Sequence, residues 1–170
     1  MIHGIGYHSI QIIKIMECRQ TKVSSFNCAG FKGKCEYINK TVYAGCDILL
    51  LQETWLHKFE FNIFNEEIEN CQYHAIIWHK DLALSILPIE TKSTGLCAVV
   101  VKSKRINLVI CNVYMPQDNN TNENFETFGD ILYEILMIHE VYSGYDFIIG
   151  GDLSIVLRKL LCQVYSLYYS

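Results

Sequence analysis

The sequence has no pair of cysteines at the two-residue spacing of zinc and redox motifs, although it contains 8 cysteines. None of them stands at ligand spacing from a pair of histidines. Several lie inside apolar runs such as GLCAVVV and VICNVY, where a thiol behaves as a small hydrophobic group. The sequence therefore predicts reduced cysteines within a core, and neither a disulfide framework nor a zinc site.

An excess of positive charge and a long apolar run are also missing. The net charge is −4, so no overall positive field attracts nucleic acid, and any such contact needs a local basic patch. No apolar stretch approaches the roughly 20 residues of a membrane helix. The first 18 residues have neither the basic leader nor the cleavage pattern of a signal peptide. We therefore expect an intracellular protein, nuclear or cytoplasmic, that is not secreted and has no membrane partner.

What is present is ample core material, since 51% of the 170 residues are hydrophobic. TKVSSFNC (21–28) predicts a strand, and CEYINKTVYAG (35–45) has the apolar spacing of a helix that stops at Gly45. CDILLLQET (46–54) then predicts a buried strand. The alternation of strand, helix and strand favours a layered α/β architecture.

Further along the chain the clearest pattern is a β-hairpin over residues 96–116, with its turn at KSKR. Before it, residues 73–90 predict one or two strands with Pro88 near an edge, and residues 59–70 predict a helical or irregular segment. Hairpins mixed with crossover helices indicate two sheets between helices.

The last predicted elements are a helix over residues 124–142 and a strand that ends in DFIIGGD (146–152). Six apolar residues at spacings of 3, 4 and 7 predict the packed face of the helix. They are Phe125, Phe128, Ile131, Leu132, Ile135 and Leu136.

Three polar residues share one setting, because each follows the end of an apolar strand. Asn27 follows SSF, Glu53 follows DILLLQ, and Asp152 follows DFIIGG. Strand ends that meet at one rim bring side chains together around a ligand, and oxygen donors of this kind suit Mg²⁺. The alternative interpretation of each residue alone is a turn cap.

The segments around these residues resemble a known superfamily. Four strings carry the resemblance, namely SFNCAGF, DILLLQETWL, CNVYMP and DFIIGGDL. They stand in the order seen in the endonuclease/exonuclease/phosphatase superfamily, whose fold is deoxyribonuclease-I-like. Within it, the chain is most similar to the endonuclease domain that precedes the reverse transcriptase of non-LTR retrotransposons, over about residues 21–154. The strings NCAGF and LQETWL favour this branch over another one, such as a sugar-phosphate or lipid phosphodiesterase.

The resemblance implies an α/β (α+β) fold, a four-layer αββα sandwich of two mostly antiparallel or mixed sheets flanked by helices. It also implies an N-terminal extension over residues 1–20 and a partial domain over residues 21–157. Residues 158–170 would then form a divergent apolar tail, and we expect the sandwich to be incomplete at the C-terminus.

The resemblance also implies roles for five residues. Glu53 would be the ligand of one Mg²⁺ or Mn²⁺, and Asp152 would orient or deprotonate the attacking water. Asn27 would hydrogen-bond within the site and position Glu53, the metal or the phosphate, while the hydroxyl of Tyr114 would contact the phosphate. Ser154 stands where the family has an asparagine that holds the phosphate. The glycines before Asp152 would let backbone and substrate approach closely.

Three departures from the family pattern bear on activity. The hydroxyl of Ser154 is shorter than a carboxamide and has one donor fewer, and losing one transition-state contact can lower the rate about 100-fold. Residues 155–170 contain no aspartate and no histidine, so the family's later Asp–His pair has no counterpart. The segment before IIWHKD lacks the family's glycine pair.

The sequence therefore predicts a retrotransposon-derived, endonuclease-like domain. Its ancestral activity would be Mg²⁺-dependent phosphodiester hydrolysis that nicks DNA, weakened or lost here. DNA would be the partner, and no obligate protein partner is predicted. The alternative is a catalytically dead fragment that keeps the fold and acts at most as a weak module for binding nucleic acid or protein.

Overall fold

Two β-sheets form the centre of the structure. The computed structural model describes residues 8–13, 21–57, 60, 71–73, 76–79, 85–102, 107–115 and 122–153. The first sheet contains β1 His8–Ile13, β2 Thr21–Asn27, β3 Ile48–Gln52, β4 Cys71–Tyr73 and β5 Ile76–His79. The second contains β6 Ser85–Ile89, β7 Leu96–Lys102, β8 Asn107–Tyr114 and β9 Asp146–Asp152. The strand orders are β1-β2-β3-β5-β4 and β6-β7-β8-β9.

Both sheets are mixed, since each has one parallel pair among antiparallel ones. The parallel pairs are β2 with β3 and β8 with β9. The strand β1, within the predicted N-terminal extension, pairs antiparallel with β2 along the full length of β1. The predicted tail over residues 158–170 lies outside the described residues.

The helices lie on the outer faces of the sheets. The helix α1 Cys35–Tyr37 continues as a π-helical turn over Ile38–Val42 and a 3-10 turn over Tyr43–Gly45, and α2 spans Asn122–Val141. The helix predicted over residues 35–45 is thus helical throughout and ends at Gly45. Its irregularity follows from Ile, Thr and Val in the middle, which fit poorly in a regular α-helix.

Three apolar layers connect these elements. Successive side chains of a strand alternate between its two faces, and the buried residues follow that alternation. Ile48 and Leu50 of β3 face Val99 and Ile110 of the second sheet, forming the layer between the sheets. Leu49 and Leu51 pack beneath the α1 segment, and Cys111 and Val113 pack beneath α2. The predicted αββα sandwich is confirmed, with few helices outside its sheets.

The central hairpin and the edge proline lie where the sequence predicts them. The strands β7 and β8 pair antiparallel, with Lys102 opposite Asn107, while the turn over residues 103–106 lies outside the described residues. Pro88 belongs to β6, which is an edge strand of the second sheet. Apart from Glu60, the segment predicted over residues 59–70 also lies outside the described part of the chain.

The packed face of α2 differs from the predicted one at a single described side chain. Ile131, Ile135 and Ile138 are buried against the second sheet, but Leu136 is 62% exposed. Each residue turns the helix by about 100°, so Leu136 is carried off the face that Ile135 presents to the sheet. Including Leu136 in the packed face was therefore wrong, and Ile138 takes part in it instead.

Five cysteines of the described residues are thiols. Cys28, Cys35, Cys46 and Cys111 are buried, and Cys97 is half-buried. Burial raises the pKa of Cys97 and of Cys111 to about 12, so both are neutral at physiological pH. A neutral buried thiol serves as a small apolar side chain.

The two glycines of β9 fit against neighbouring parts of the protein. A Cβ added to Gly150 would lie 2.6 Å from Cδ1 of Leu50, which projects from the facing sheet. Gly151 has φ +128°, and a Cβ there would overlap the backbone oxygen of Val113 on the adjacent strand. Close packing of the two sheets and of β8 against β9 therefore requires both glycines.

We expect Gly151→Ala to lower the free energy of unfolding more than Gly150→Ala. The first change meets rigid backbone at a positive φ, whereas the second meets a side chain that can move, at a cost of about 1–3 kcal/mol. Urea denaturation checks the order, and the cost of Gly150→Ala should shrink in a Leu50→Ala background. Gly129→Ala is the control, because nothing surrounds this glycine of α2 and alanine there should stabilise by up to about 1 kcal/mol. Equal costs at positions 150 and 151 would contradict this account.

Candidate active site

The candidate site lies where two parallel strand pairs end. In the first sheet Asn27, the last residue of β2, stands opposite Gln52, and Glu53 follows directly. In the second sheet Tyr114, the last residue of β8, stands opposite Asp152 at the end of β9. Parallel strands present their carboxyl ends at the same edge, so each sheet contributes one pair of polar side chains.

The side chain of Asn27 joins the two pairs. Its Nδ2 donates to Oε1 of Glu53 at 2.8 Å and to Oδ2 of Asp152 at 2.9 Å. Its Oδ1 accepts from the backbone N–H of Ala29 at 3.1 Å, which fixes the orientation of the carboxamide. One neutral amide therefore holds two carboxylates from different sheets next to each other.

Tyr114 shares the electrostatic environment of these carboxylates. Partial burial raises the pKa of its phenol, and the negative charges of Glu53 and Asp152 raise it further. The residue is 38% exposed, so part of its side chain is in contact with solvent. A phenol with the ordinary pKa of about 10 is already protonated at neutral pH, and the raised pKa moves its ionisation further away, so the hydroxyl can donate a hydrogen bond.

A buried polar bridge between the sheets lies directly behind the site. Nε2 of Gln52 donates to Oδ1 of Asn112 at 2.6 Å, and Nδ2 of Asn112 donates to the backbone oxygen of Leu51 at 2.8 Å. The hydroxyl of Ser25 donates to Oε1 of Gln52 at 3.3 Å. The local sequence does not predict this bridge, although Gln52 and Asn112 are conspicuous as amides inside apolar runs.

The chain leaves β3 through an unusual backbone conformation. Glu53 and Trp55 have φ values of +51° and +52°, in the left-handed region that bulky residues rarely adopt. Backbone hydrogen bonds hold this segment, including Gly30 N–H to the oxygen of Glu53 at 2.8 Å and Phe31 N–H to that of Thr54 at 3.0 Å. Strain of this kind persists where the surrounding structure imposes it, often at functional sites.

The oxygen donors of the site fit a hard divalent cation. Mg²⁺ keeps most of its water and is commonly held by one or two carboxylates, and Glu53 with Asp152 provides two that share the amide of Asn27. In the described part of the chain, no group of three or more His, Cys, Asp or Glu side chains is arranged to hold a metal ion. A cation here would therefore keep a largely aqueous coordination sphere.

Ser154 and the lysines between β2 and β3 are further candidates for phosphate binding. Ser154 lies outside the described residues. Lys32 forms an ion pair with Glu60, and Lys40 forms one with Glu36 at 2.7 Å. Two of the three lysines between β2 and β3 are thus paired with glutamates.

Comparison with known proteins gives no family assignment. No protein-family model matches the chain, and no curated protein matches it. Among the described helices, none combines the length and apolar character needed to cross a membrane. The geometry of the site therefore carries the functional argument.

We expect Asn112→Leu to lower the free energy of unfolding by about 1–3 kcal/mol, because it leaves the buried Nε2 of Gln52 without this acceptor. Gln52→Leu should act similarly, and the double variant should cost less than the sum of the two. Urea denaturation measures all three. Ile138→Val, on the packed face of α2, is the control and should add to Gln52→Leu without coupling. Full additivity of the Gln52 and Asn112 substitutions would show that the bridge has no energetic role.

The charges around Tyr114 give a second prediction. Glu53→Gln and Asp152→Asn should each lower the pKa of Tyr114, because each removes a negative charge that opposes ionisation of the phenol. NMR titration of tyrosine ¹³Cζ resonances measures this pKa, with Tyr114→Phe identifying the signal. Glu140→Gln on α2 should leave it unchanged. If the pKa of Tyr114 is the same in both variants as in the wild type, the phenol does not interact with Glu53 and Asp152.

Proposed function

We propose that the protein is an endonuclease-like domain of non-LTR retrotransposon ancestry, related to the deoxyribonuclease-I-like superfamily. Its proposed reaction is slow, Mg²⁺- or Mn²⁺-dependent hydrolysis of a DNA phosphodiester. The single observation that carries the proposal is the amide of Asn27, which donates to Glu53 and Asp152 at 2.8 and 2.9 Å. This contact joins residues from opposite ends of the chain into one acidic, oxygen-rich site.

The strings that resemble the superfamily agree with this geometry. SFNCAGF, LQETWL, CNVYMP and FIIGGDL each contain the end of one of the four strands that meet at the site. If the resemblance were confined to the buried strands, the shared need for apolar residues in a core would explain it. Its concentration at strand ends, where side chains leave the core, supports a shared site chemistry.

Each residue has a role consistent with its surroundings. The carboxylate of Glu53 would hold the cation, which when bound stabilises negative charge on the phosphate and the leaving oxygen. The exposed carboxylate of Asp152 would accept a proton from the attacking water. The phenol of Tyr114, protonated at neutral pH, would donate to a phosphate oxygen, and Asn27 would keep the two carboxylates in place.

We expect the rate of phosphodiester hydrolysis to be low because the sequence lacks some of the residues that the related domains have. Ser154 offers one donor where the related domains have a carboxamide, and residues 155–170 supply no Asp–His pair. Loss of a single preorganised donor commonly lowers a rate by about 100-fold or more. DNA nicking is therefore proposed as a slow reaction that depends on the cation.

Nicking of supercoiled plasmid tests the proposal. We expect the closed circle to open slowly in Mg²⁺ or Mn²⁺, with no opening in EDTA. Glu53→Gln and Asp152→Asn should each lower the rate at least 100-fold, because each removes a carboxylate of the site. Asp146→Asn is the matched control for Asp152→Asn, since it makes the same change at the other end of β9 and should keep the wild-type rate.

The outcomes separate the proposal from the alternative. Cleavage that survives EDTA or Glu53→Gln would point to a contaminating nuclease. A cooperatively folded protein that opens no plasmid in either metal would overturn the proposed reaction and favour the catalytically dead fragment.

A further inference from the structure

We propose that Trp55 is a stacking surface for an unstacked nucleic-acid base next to the scissile phosphate. The inference rests on the proposed function, because it takes a nucleic acid as the ligand of the same site. In this proposal the indole of Trp55 stacks on the flat face of a base. The protein would therefore prefer a substrate in which a base can leave the duplex.

The exposure of Trp55 is the first observation. The residue is 71% exposed, whereas the chain's other tryptophan, Trp78, is 7% exposed and packs between the sheets. A large apolar ring in water is unfavourable, and tryptophans in this state are common where a partner covers them. Trp55 follows Glu53 by two residues, and its ring lies against Gly30, three residues after Asn27.

The backbone conformation of Trp55 is held by hydrogen bonds from a neighbouring segment of the chain. Its φ of +52° is rare for a bulky residue, and Glu53 at +51° has the same conformation. The hydrogen bonds from the N–H groups of Gly30 and Phe31 to the oxygens of Glu53 and Thr54 hold the segment in this form. The same backbone turn therefore positions both the carboxylate of Glu53 and the indole of Trp55.

Gly30 provides the support beneath the ring. A Cβ on Gly30 would lie 2.9 Å from Cε3 and 3.2 Å from Cζ3 of Trp55, so the six-membered ring of the indole lies against this glycine. Gly30 itself has φ +96°, a conformation that favours glycine. The indole thus contacts Gly30 while most of its surface remains exposed, and a stacking surface needs both support and access.

The charges around the site leave a role for a contact with DNA that is not electrostatic. Glu53 and Asp152 repel phosphate in the absence of a cation, and Lys32 and Lys40 are paired with glutamates. A contact that does not depend on net charge would therefore add to the affinity for DNA. Base stacking on an aromatic side chain is such a contact, and it tolerates any base sequence.

Binding measurements with an oligonucleotide test the inference independently of cleavage. In a Trp78→Phe background, Trp55 is the sole tryptophan, and its emission should be quenched by a single-stranded oligonucleotide more than by a fully paired duplex. Both titrations use Ca²⁺ in place of Mg²⁺. Fluorescence anisotropy of the labelled single strand gives the affinity of each variant.

The choice of variants separates stacking from general apolar contact. Trp55→Leu keeps an apolar side chain without a flat face and should weaken binding about 10-fold, while Trp55→Tyr should keep most of the affinity. The loss should persist at high salt, because stacking is not screened. Tyr133→Leu removes an aromatic residue that is 66% exposed on α2 and should leave binding unchanged. Thermal melts establish that each variant is folded.

Each outcome decides between the claims. Wild-type affinity in Trp55→Leu, or unquenched emission on saturation with DNA, would overturn the role of Trp55 and leave the proposed reaction intact. Quenching and weakened binding in a protein that nicks no plasmid would support the role of Trp55 and overturn the reaction. A folded protein that binds no DNA would overturn both.

Discussion

The hydrogen bond between Gln52 and Asn112 is the constraint on which the site depends. Two sheets that met through apolar side chains alone could slide relative to each other at little cost, because apolar contacts are non-directional. A buried amide pair is directional, and leaving it unmade is costly in a low-dielectric interior. Gln52 immediately precedes Glu53, and Asn112 lies two residues before Tyr114 on the same face of β8. Fixing this pair therefore fixes the distance between the two halves of the site.

The fold was largely predictable from periodicity, and its deviations have local causes. Alternating and continuous apolar runs predicted the central strands, and the 3–4 spacing predicted α2. The pattern did not predict that Leu136 would be exposed, because spacing defines an apolar stripe but not how far the sheet extends beneath it. Nor did it predict the π-helical and 3-10 turns after Tyr37, where β-branched residues and the packing of Ile38 compete with regular helix geometry.

Strand ends predicted the polar residues of the site but not how they interact. Asn27, Glu53, Tyr114 and Asp152 were recognisable from the segments around them. The sequence did not indicate that a single amide would link the carboxylates of two sheets, because the contact from Asn27 to Asp152 spans 125 residues of chain. The Gln52–Asn112 bridge and the left-handed backbone at Trp55 were missed for the same reason. Each depends on which surfaces meet in three dimensions, and the local sequence does not determine that.

The parallel pairing of β2 with β3 and of β8 with β9 has a consequence for how the molecule folds. Each pair is closed by its own crossover connection, so each half of the site belongs to a separate unit of the chain. Neither unit holds both carboxylates, and the amide that links them gains its second partner only when the sheets dock. Loop-closure entropy makes such long-range docking slow compared with local helix formation. A chain whose sheets have not docked therefore lacks the pair of carboxylates that defines the site.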